Sequence, residues 1–230
     1  MMSTVDGRLL TERWSDPFDG TPKERLYEPY FALRRELGCN ASIIGRVTMQ
    51  RDFAEVGEFT AADPTPEADP QPFVGASTAA CEHTYIVLDS TGRCRYADGR
   101  VEGCGVIAVL GRRVAAEYLR FLREKGISYL FAGEDGRDIG AALETLRERF
   151  GYRQLLLEGG GTVNGSFLEA GLIDGFSLLL YPGIDGAGGR PAIVEYVGPN
   201  ALPAAGQSLE LTEVRPLEHG LVWLRYRVHR

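Results

Sequence analysis

The chain has 230 residues, of which 44% are hydrophobic and 25% charged, and it carries a net charge of −7. Its length fits one domain with a sizeable core, and its longest apolar runs fall far short of a membrane span. The acidic balance excludes a nucleic-acid footprint, which demands a basic face, but a few local arginines can still meet a small anionic ligand.

Asp6 and Arg8 interrupt the stretch where a signal peptide would need apolar residues, so a cytoplasmic protein with no membrane partner is expected. Cys39, Cys81, Cys94 and Cys104 form no C-x-x-C pair, and His83, His219 and His229 lack metal-type spacing. No metal site is expected, and the thiols read as free cysteines of a reducing compartment.

In chain order, the first strand with a clear pattern is Ser42–Gly45, running into a polar helical start. Gly57 to Gly75 then contains Pro64, Pro66, Pro70 and Pro72 with four acidic side chains. Neither a helix nor a central strand tolerates that density of proline, so a long Pro-rich surface loop is assigned across 57–80. Strands follow at Thr84–Leu88 and Val106–Leu110. Val114–Lys125 is a helix, with Val114, Tyr118, Phe121 and Leu122 at helical spacing and Gly126 as its stop. A strand at Tyr129–Ala132 leads to a helix at Ile139–Phe150, whose Ile139, Leu143, Leu146 and Phe150 share a face. Next come a strand at Gln154–Leu157, a helix after the triple glycine with Val163, Phe167 and Leu168 inward, and a strand at Phe176–Tyr181. The tail alternates as a strand pair, Ser208–Val214 and Leu221–His229. Strands alternating with amphipathic helices give an α/β sheet covered on its faces, ending in an antiparallel hairpin.

Two segments carry chemistry. Gln154-Leu-Leu-Leu-Glu158-Gly-Gly-Gly161-Thr-Val-Asn164 joins a strand to a helix through three glycines. Bare N–H groups at the positive end of a helix suit an anion such as a dinucleotide pyrophosphate; the alternative is a tight turn whose glycines relieve crowding. Ser42-Ile-Ile-Gly45-Arg46-Val-Thr48 to Asp52 again runs from strand into helix. Gly45 permits backbone approach, Arg46 is a permanent cation suited to a phosphate, and Thr48 offers a hydroxyl near the N-cap. An ordinary capped helix with a solvated arginine would look the same. The spacing at Gly159 to Asn164 departs from the G-x-G-x-x-G fingerprint and comes late in the chain, against a conventional Rossmann enzyme. No G-x-S-x-G elbow or P-loop lysine supports a hydrolase or transferase.

With these residues in place, the chain resembles the reductase domain of the bacterial riboflavin-biosynthesis deaminase-reductases, with a dihydrofolate-reductase-like fold. The resemblance covers nearly the whole length. It rests on Ser3-Thr-Val-Asp6-Gly7-Arg8, on Ile44 to Asp52, on Val87-Leu-Asp89-Ser90, and on Leu157 to Gly165 followed by Ala170-Gly-Leu-Ile-Asp174. It implies one reductase domain over residues 1–230, a three-layer α/β/α arrangement with a mostly parallel central sheet, a homodimer joined through the C-terminal sheet, and NADPH as cofactor. By position it assigns Gly159, Gly160, Gly161, Thr162, Val163 and Asn164 to the cofactor phosphates, and Ser3, Gly45, Arg46, Thr48, Asp52 and Ser90 to the cofactor more broadly. Glu158 falls at a substrate-contacting carboxylate and, with Asp6, is a candidate catalytic residue. A strand-end carboxylate facing water and an Asp-Gly turn are the plainer alternatives for these two. Trp14 would stack on a nicotinamide or pyrimidine ring, or else fill a core. Arg112 and Arg113 would assist Arg46 or be solvated at a helix start. The activity implied is hydride transfer from NADPH to a phosphoribosylamino-pyrimidine small-molecule substrate. A pterin reductase and a non-catalytic NADP-binding protein are the other readings. Neither H-x-E nor P-C-x-x-C of the partner zinc deaminase domain occurs. The chain's start at Met1 shortens the first strand, and the consecutive methionines leave its true start open.

Overall fold

In the computed structural model, which describes residues 1–79 and 81–230, ten strands and five α-helices alternate along the chain. They are β1 (Met2–Thr4), α1 (Lys23–Glu36), β2 (Ala41–Gly45), α2 (Arg46–Asp52), β3 (Thr84–Leu88), β4 (Arg100–Val101), β5 (Cys104–Leu110), α3 (Ala116–Glu124), β6 (Ser128–Phe131), α4 (Ile139–Arg149), β7 (Leu156–Gly159), α5 (Gly161–Glu169), β8 (Gly175–Tyr181), β9 (Ser208–Pro216) and β10 (Val222–His229). They group into two compact units, Cys39–Glu158 and a second made of Met1–Gly38 with Gly159–Arg230.

Parallel pairing dominates the first unit. Its sheet runs β4-β5-β3-β2-β7, with β6 also on β5; β2–β3, β3–β5 and β5–β6 are parallel, and only the short β4 is antiparallel to β5. Every residue of β2 and β6 is buried, as are all but one of β3 and of β5. Covered strands need apolar residues on both faces, which is why these segments read as continuous apolar runs. The core joins Ile44, Val87, Val106, Ala108 and Leu110 to Tyr118, Leu119 and Leu122 of α3. Asp138 caps α4, its Oδ1 accepting from the Ala141 N–H at 3.0 Å. Gly126 and Gly151 follow their helices at φ +67° and +75°, as stop signals require.

The segment expected as surface loop is anchored more firmly than its prolines suggest. Phe59 packs on Tyr118 and Phe121 at centroid distances of 5.0 and 5.1 Å, and Phe73 pairs with Tyr129 through backbone and ring. The expected loop also gives way to a single 3₁₀ turn at Ala76–Thr78, with Ser77 buried; residue 80 lies outside the described residues.

The second unit holds a four-stranded sheet in the order β1-β8-β10-β9, with β1 parallel to β8 and the rest antiparallel. The expected C-terminal hairpin closes it, with a register shift at Arg225/Tyr226. The hydrogen-bonded strands therefore lie in two sheets, where one central sheet was expected. Helix α1 has no counterpart in the sequence reading, because Pro29 sits inside it and an interior proline removes a hydrogen bond and crowds the preceding turn. Tertiary packing overrides that cost: Leu26 and Leu33, one heptad apart, enter a core with Leu179, Tyr181, Leu221 and Trp223. Among the described residues, no helix is long and apolar enough to cross a membrane.

Candidate functional site

The strand before the triple glycine ends later than the sequence suggested. Expected at Gln154–Leu157, β7 spans Leu156–Gly159, so Glu158 and Gly159 are strand residues. Glu158 is half-buried there, and its charge, after burial, helps push the Cys39 thiol up.

The three glycines do different work. Gly159 has φ +65°, and a Cβ on it would lie 2.4 Å from Asn164 Oδ1. A Cβ on Gly161 would lie 2.2 Å from the Ala192 carbonyl oxygen and 3.3 Å from Glu195 Oε2. Only Gly160 faces open space, with nothing within 4 Å; its bond to Gly159 is cis. Crowding by the protein's own chain thus explains Gly159 and Gly161, the alternative that the sequence reading kept open beside a ligand. Gly165 belongs to the same contact, since its Cβ would meet the Glu195 carbonyl oxygen at 2.2 Å. The 192–196 segment is tied to α5 by Glu195 N–H to Gly161 O (2.9 Å) and by Asn164 Nδ2 to Ile193 O (2.6 Å).

Helix α5 nevertheless begins without a side-chain cap at Gly160. Its first N–H groups lack intrahelical acceptors by geometry. Asn164, only 4% exposed, leaves its Oδ1 without a hydrogen-bond partner. Buried polar atoms are rarely left so. An open Cβ position at Gly160 and an uncapped helix start fit an anionic ligand, whereas the orphaned Asn164 oxygen is an acceptor and calls for a donor. The inward face of α5 also differs from expectation: Gly161, Asn164, Gly165 and Phe167 are buried, while Val163 and Leu168 are half-buried and Thr162 is exposed. Small residues face inward because backbone packs there.

Near the N-terminus, Ser3 is 1% exposed and its hydroxyl donates to the Thr4 carbonyl at 3.1 Å. Asp6 is exposed, and its carboxylate accepts from the backbone N–H groups of Asp185 (3.2 Å) and Gly186 (2.9 Å). With a hydrogen bond from the Thr4 side chain as the largest cause, these hold its pKa down to about 2. Arg13 grips Asp185 beside it through Nε and Nη2 at 2.9 and 3.0 Å. Trp14 does not present a ring face to a ligand. It is 3% exposed and packs on Tyr181 at a centroid distance of 4.8 Å, the core arrangement of the two considered.

In the first unit, Gly45 is the residue before α2 and Arg46 its first residue, so Thr48 lies inside the helix and caps nothing. Arg46 donates to Gln50 and, at 2.9 Å, to Glu58. Asp52 ends α2 paired with its neighbour Arg51 at 2.6 Å. After β3, Asp89 is 1% exposed, and its carboxylate accepts the N–H groups of Arg93 and Cys94, each at 2.8 Å, and the Tyr118 hydroxyl at 3.0 Å. Burial raises its pKa against the opposing pull of these donors. This knot fixes the turn that carries Ser90 and Arg93. Both line a cleft of about 910 Å³ with Glu58, Phe59, Arg113 and Arg137. The cleft opens beyond the carboxyl ends of β3, β5 and β6, where open parallel sheets bind ligands. Arg112 points elsewhere, donating to the Pro70 carbonyl at 3.1 Å and covering the Phe131 ring at 5.4 Å.

Sequence reasoning missed Arg93, Glu58 and Glu195. The signal for Arg93 was available: an aspartate followed by Ser-Thr-Gly92, with Gly92 at φ +69°, is the pattern of a side-chain-closed turn that aims the next residue.

The family model described as the RibD C-terminal domain matches residues 1–223. The 2,5-diamino-6-ribosylamino-4(3H)-pyrimidinone 5′-phosphate reductase of Methanothermobacter thermautotrophicus is 30% identical over 190 residues, covering 82% of this chain and 77% of that protein. Among solved structures, a pyrimidine reductase-like protein from Corynebacterium diphtheriae shares the fold at a TM-score of 0.63 and 16% identity, covering 100% of this chain and 90% of its own. RibD of Acinetobacter baumannii aligns at a TM-score of 0.58 and 18% identity; the chain spans 56% of that longer protein. The family match over nearly the whole chain, together with the archaeal relative, places this protein in the RibD C-terminal domain family.

Proposed function

We propose that residues 1–230 act as an NADPH-dependent reductase of the riboflavin-pathway type, transferring hydride to a phosphoribosylamino-pyrimidine or a related heterocycle. The observation that carries this reading is the uncapped start of α5, with open space at Gly160. A reductase among its relatives supports the reaction class. Backbone from Gly160 to Asn164 would hold the cofactor diphosphate. Within the first unit, Arg46 and Ser90, with Gly45, Thr48 and Asp52, are the residues suited to a phosphate. Bound there, NADPH would supply the hydride.

The chain's own residues do the rest. They must hold acceptor and donor at about 3 to 3.5 Å and exclude water. Glu158, half-buried on the strand leading into the glycines, would orient the substrate and favour a cationic, iminium-like state of its C1′. Asp6, with its pKa near 2, is ionised at neutral pH, so it contributes a fixed charge and holds the 185–186 loop rather than donating a proton. Leu209, Leu211 and Val214 on the edge strand β9 are 54%, 51% and 52% exposed, and an apolar edge of this kind favours pairing of two copies as a homodimer.

The test is oxidation of NADPH on addition of the pyrimidine substrate, together with protection against thermal unfolding. A ligand at 100 times its dissociation constant adds about 2.7 kcal/mol. Binding without substrate-dependent oxidation would leave a non-catalytic nucleotide-binding protein, and unaltered turnover by Glu158→Ala would remove the role given to that carboxylate.

A further inference from the structure

One hydroxyl proton stands between two acceptors beneath the turn after β3. Tyr118 Oη, on α3, lies 3.0 Å from Asp89 Oδ2 and 3.0 Å from the Cys94 carbonyl oxygen, and its O–H donates to one of them at a time. Asp89 Oδ2 also accepts the backbone N–H groups of Arg93 and Cys94, each at 2.8 Å, and the Arg93 N–H reaches Oδ1 at 3.0 Å. Among the described residues, no other donor serves the Cys94 carbonyl. All three residues are buried, so bulk water does not supply the missing donor.

The two protonation states of Asp89 use this geometry differently. When the carboxylate is ionised, Tyr118 donates to it and the buried Cys94 carbonyl goes without a partner, which is unfavourable. When Oδ2 carries a proton, it donates to Tyr118 Oη, which turns its own proton to the Cys94 carbonyl; the Arg93 and Cys94 N–H groups keep Oδ1 and the remaining lone pair of Oδ2. Every polar group is then satisfied without moving an atom out of place. Burial raises the Asp89 pKa in the same sense, against the pull of its donors and of the Arg46 charge. The other groups facing Asp89 hold their charge. Burial pushes up the Cys94 thiol and the Tyr96 and Tyr118 hydroxyls, which stay neutral, and Arg46 and Arg93 are permanent cations. The group that changes charge thus lies under the Ser90–Arg93 turn, which lines the cleft together with Tyr118.

We propose that Asp89, Tyr118 and the Cys94 carbonyl form a two-position proton switch that couples anion binding in the cleft to uptake of a proton. An anion beside Ser90 and Arg93 favours the neutral Asp89, so it is held more tightly as pH falls, and by linkage the bound anion strengthens proton binding by the same factor. Resting on the coenzyme reading above, the anion is a phosphate of NADPH, whose affinity then depends on pH through a residue buried beneath the cleft. The fold responds with the same sign. A carboxyl whose folded pKa is raised stabilises the fold below its unfolded value of 3.8 and loses that contribution as pH rises through the folded one.

The experiment follows the Asp89 carboxyl by carbon NMR against pH, then titrates wild type and Asp89→Asn with sulfate and with NADP⁺ at one pH below and one above the midpoint found. The asparagine amide mimics the protonated acid, since its Nδ2 donates to Tyr118. The midpoint should lie above 3.8, with the Arg93 and Cys94 amide signals shifting at the same pH. Wild-type affinity for both ligands, taken relative to Asp89→Asn, should fall roughly 3- to 10-fold from the lower pH to the higher, the effect of one screened unit charge. Titration of the ligand's own phosphate is common to both proteins and cancels in that ratio. A midpoint at or below 3.8, loss of amide protection in the turn at the midpoint, a ratio that does not change, or absence of binding by either ligand would overturn the switch. Should Asp89→Asn fail to fold, calorimetry of sulfate binding to wild type in buffers of different ionisation enthalpy decides the same point, and no proton uptake refutes it. If sulfate responds as stated while NADPH is never oxidised, the switch stands and the proposed reductase function fails; NADPH oxidation with flat ratios reverses that outcome.

Discussion

Replacing Gly161 by alanine separates the glycine that the fold needs from the one that a ligand would need. A Cβ at position 161 would stand 2.2 Å from the Ala192 carbonyl oxygen, where ordinary contact begins at 3.4 Å, so the 192–196 segment would have to retreat by about 1.2 Å. That retreat strains or breaks the Glu195 N–H to Gly161 O bond, a net loss of about 0.5–1.5 kcal/mol. Forcing a methyl group into packed backbone costs about 1–3 kcal/mol more. Alanine's better helix propensity returns about 1 kcal/mol. The balance is a destabilisation of about 0.5–3.5 kcal/mol, or a melting temperature lowered by roughly 1–14 °C for a chain of this size. Gly160→Ala meets nothing within 4 Å and should stay within about 0.5 kcal/mol of wild type, yet lose NADPH affinity by about tenfold or more because backbone approach is blocked. Melting followed by circular dichroism, paired with NADPH titration, reads both effects. Gly161→Ala melting with wild type, or Gly160→Ala binding NADPH unimpaired, would refute the division of labour.

Asp6 and Asp19 bear on acid stability. Both have folded pKa values lowered to about 2 from 3.8, Asp6 chiefly by Thr4 and Asp19 chiefly by His219. A depressed carboxylate stabilises the fold fully above its unfolded pKa and loses that contribution as pH falls through the folded one. Asp6→Asn should therefore flatten the stability profile between about pH 4 and 2, and a profile unchanged there would contradict the tie to the 185–186 backbone. Leu26→Ala, at a fully buried position against Trp223 and Tyr181, should cost about 2–5 kcal/mol in urea unfolding; a value under 1 would mean that α1 does not cover that sheet. Leu211→Glu, on the exposed edge of β9, should shift sedimentation from dimer to monomer without altering the circular dichroism spectrum, and a monomeric wild type would remove the pairing proposal.

The sequence by itself determined the elements whose apolar pattern follows from burial: β2, β3, β5 and β6 read as unbroken apolar runs because both their faces are covered, and α3 and α4 announce themselves by helical spacing and terminal glycines. It also located the glycine turn, because three glycines before a helix have few physical uses. Tertiary structure alone decided which use each serves, since a glycine's meaning lies in what stands beside it, and Ala192 and Glu195 are some thirty residues away in sequence. The same holds for α1, where Pro29 argues against a helix that long-range packing then stabilises, and for Trp14, whose ring is indistinguishable in sequence from an exposed one. Arg93 and Glu58 stand 35 residues apart, and only the knot around buried Asp89 sets the arginine in the turn from which it faces that carboxylate. Local pattern encodes burial and backbone shape; partners across the fold are fixed by packing, and the chemistry of the site is made of partners.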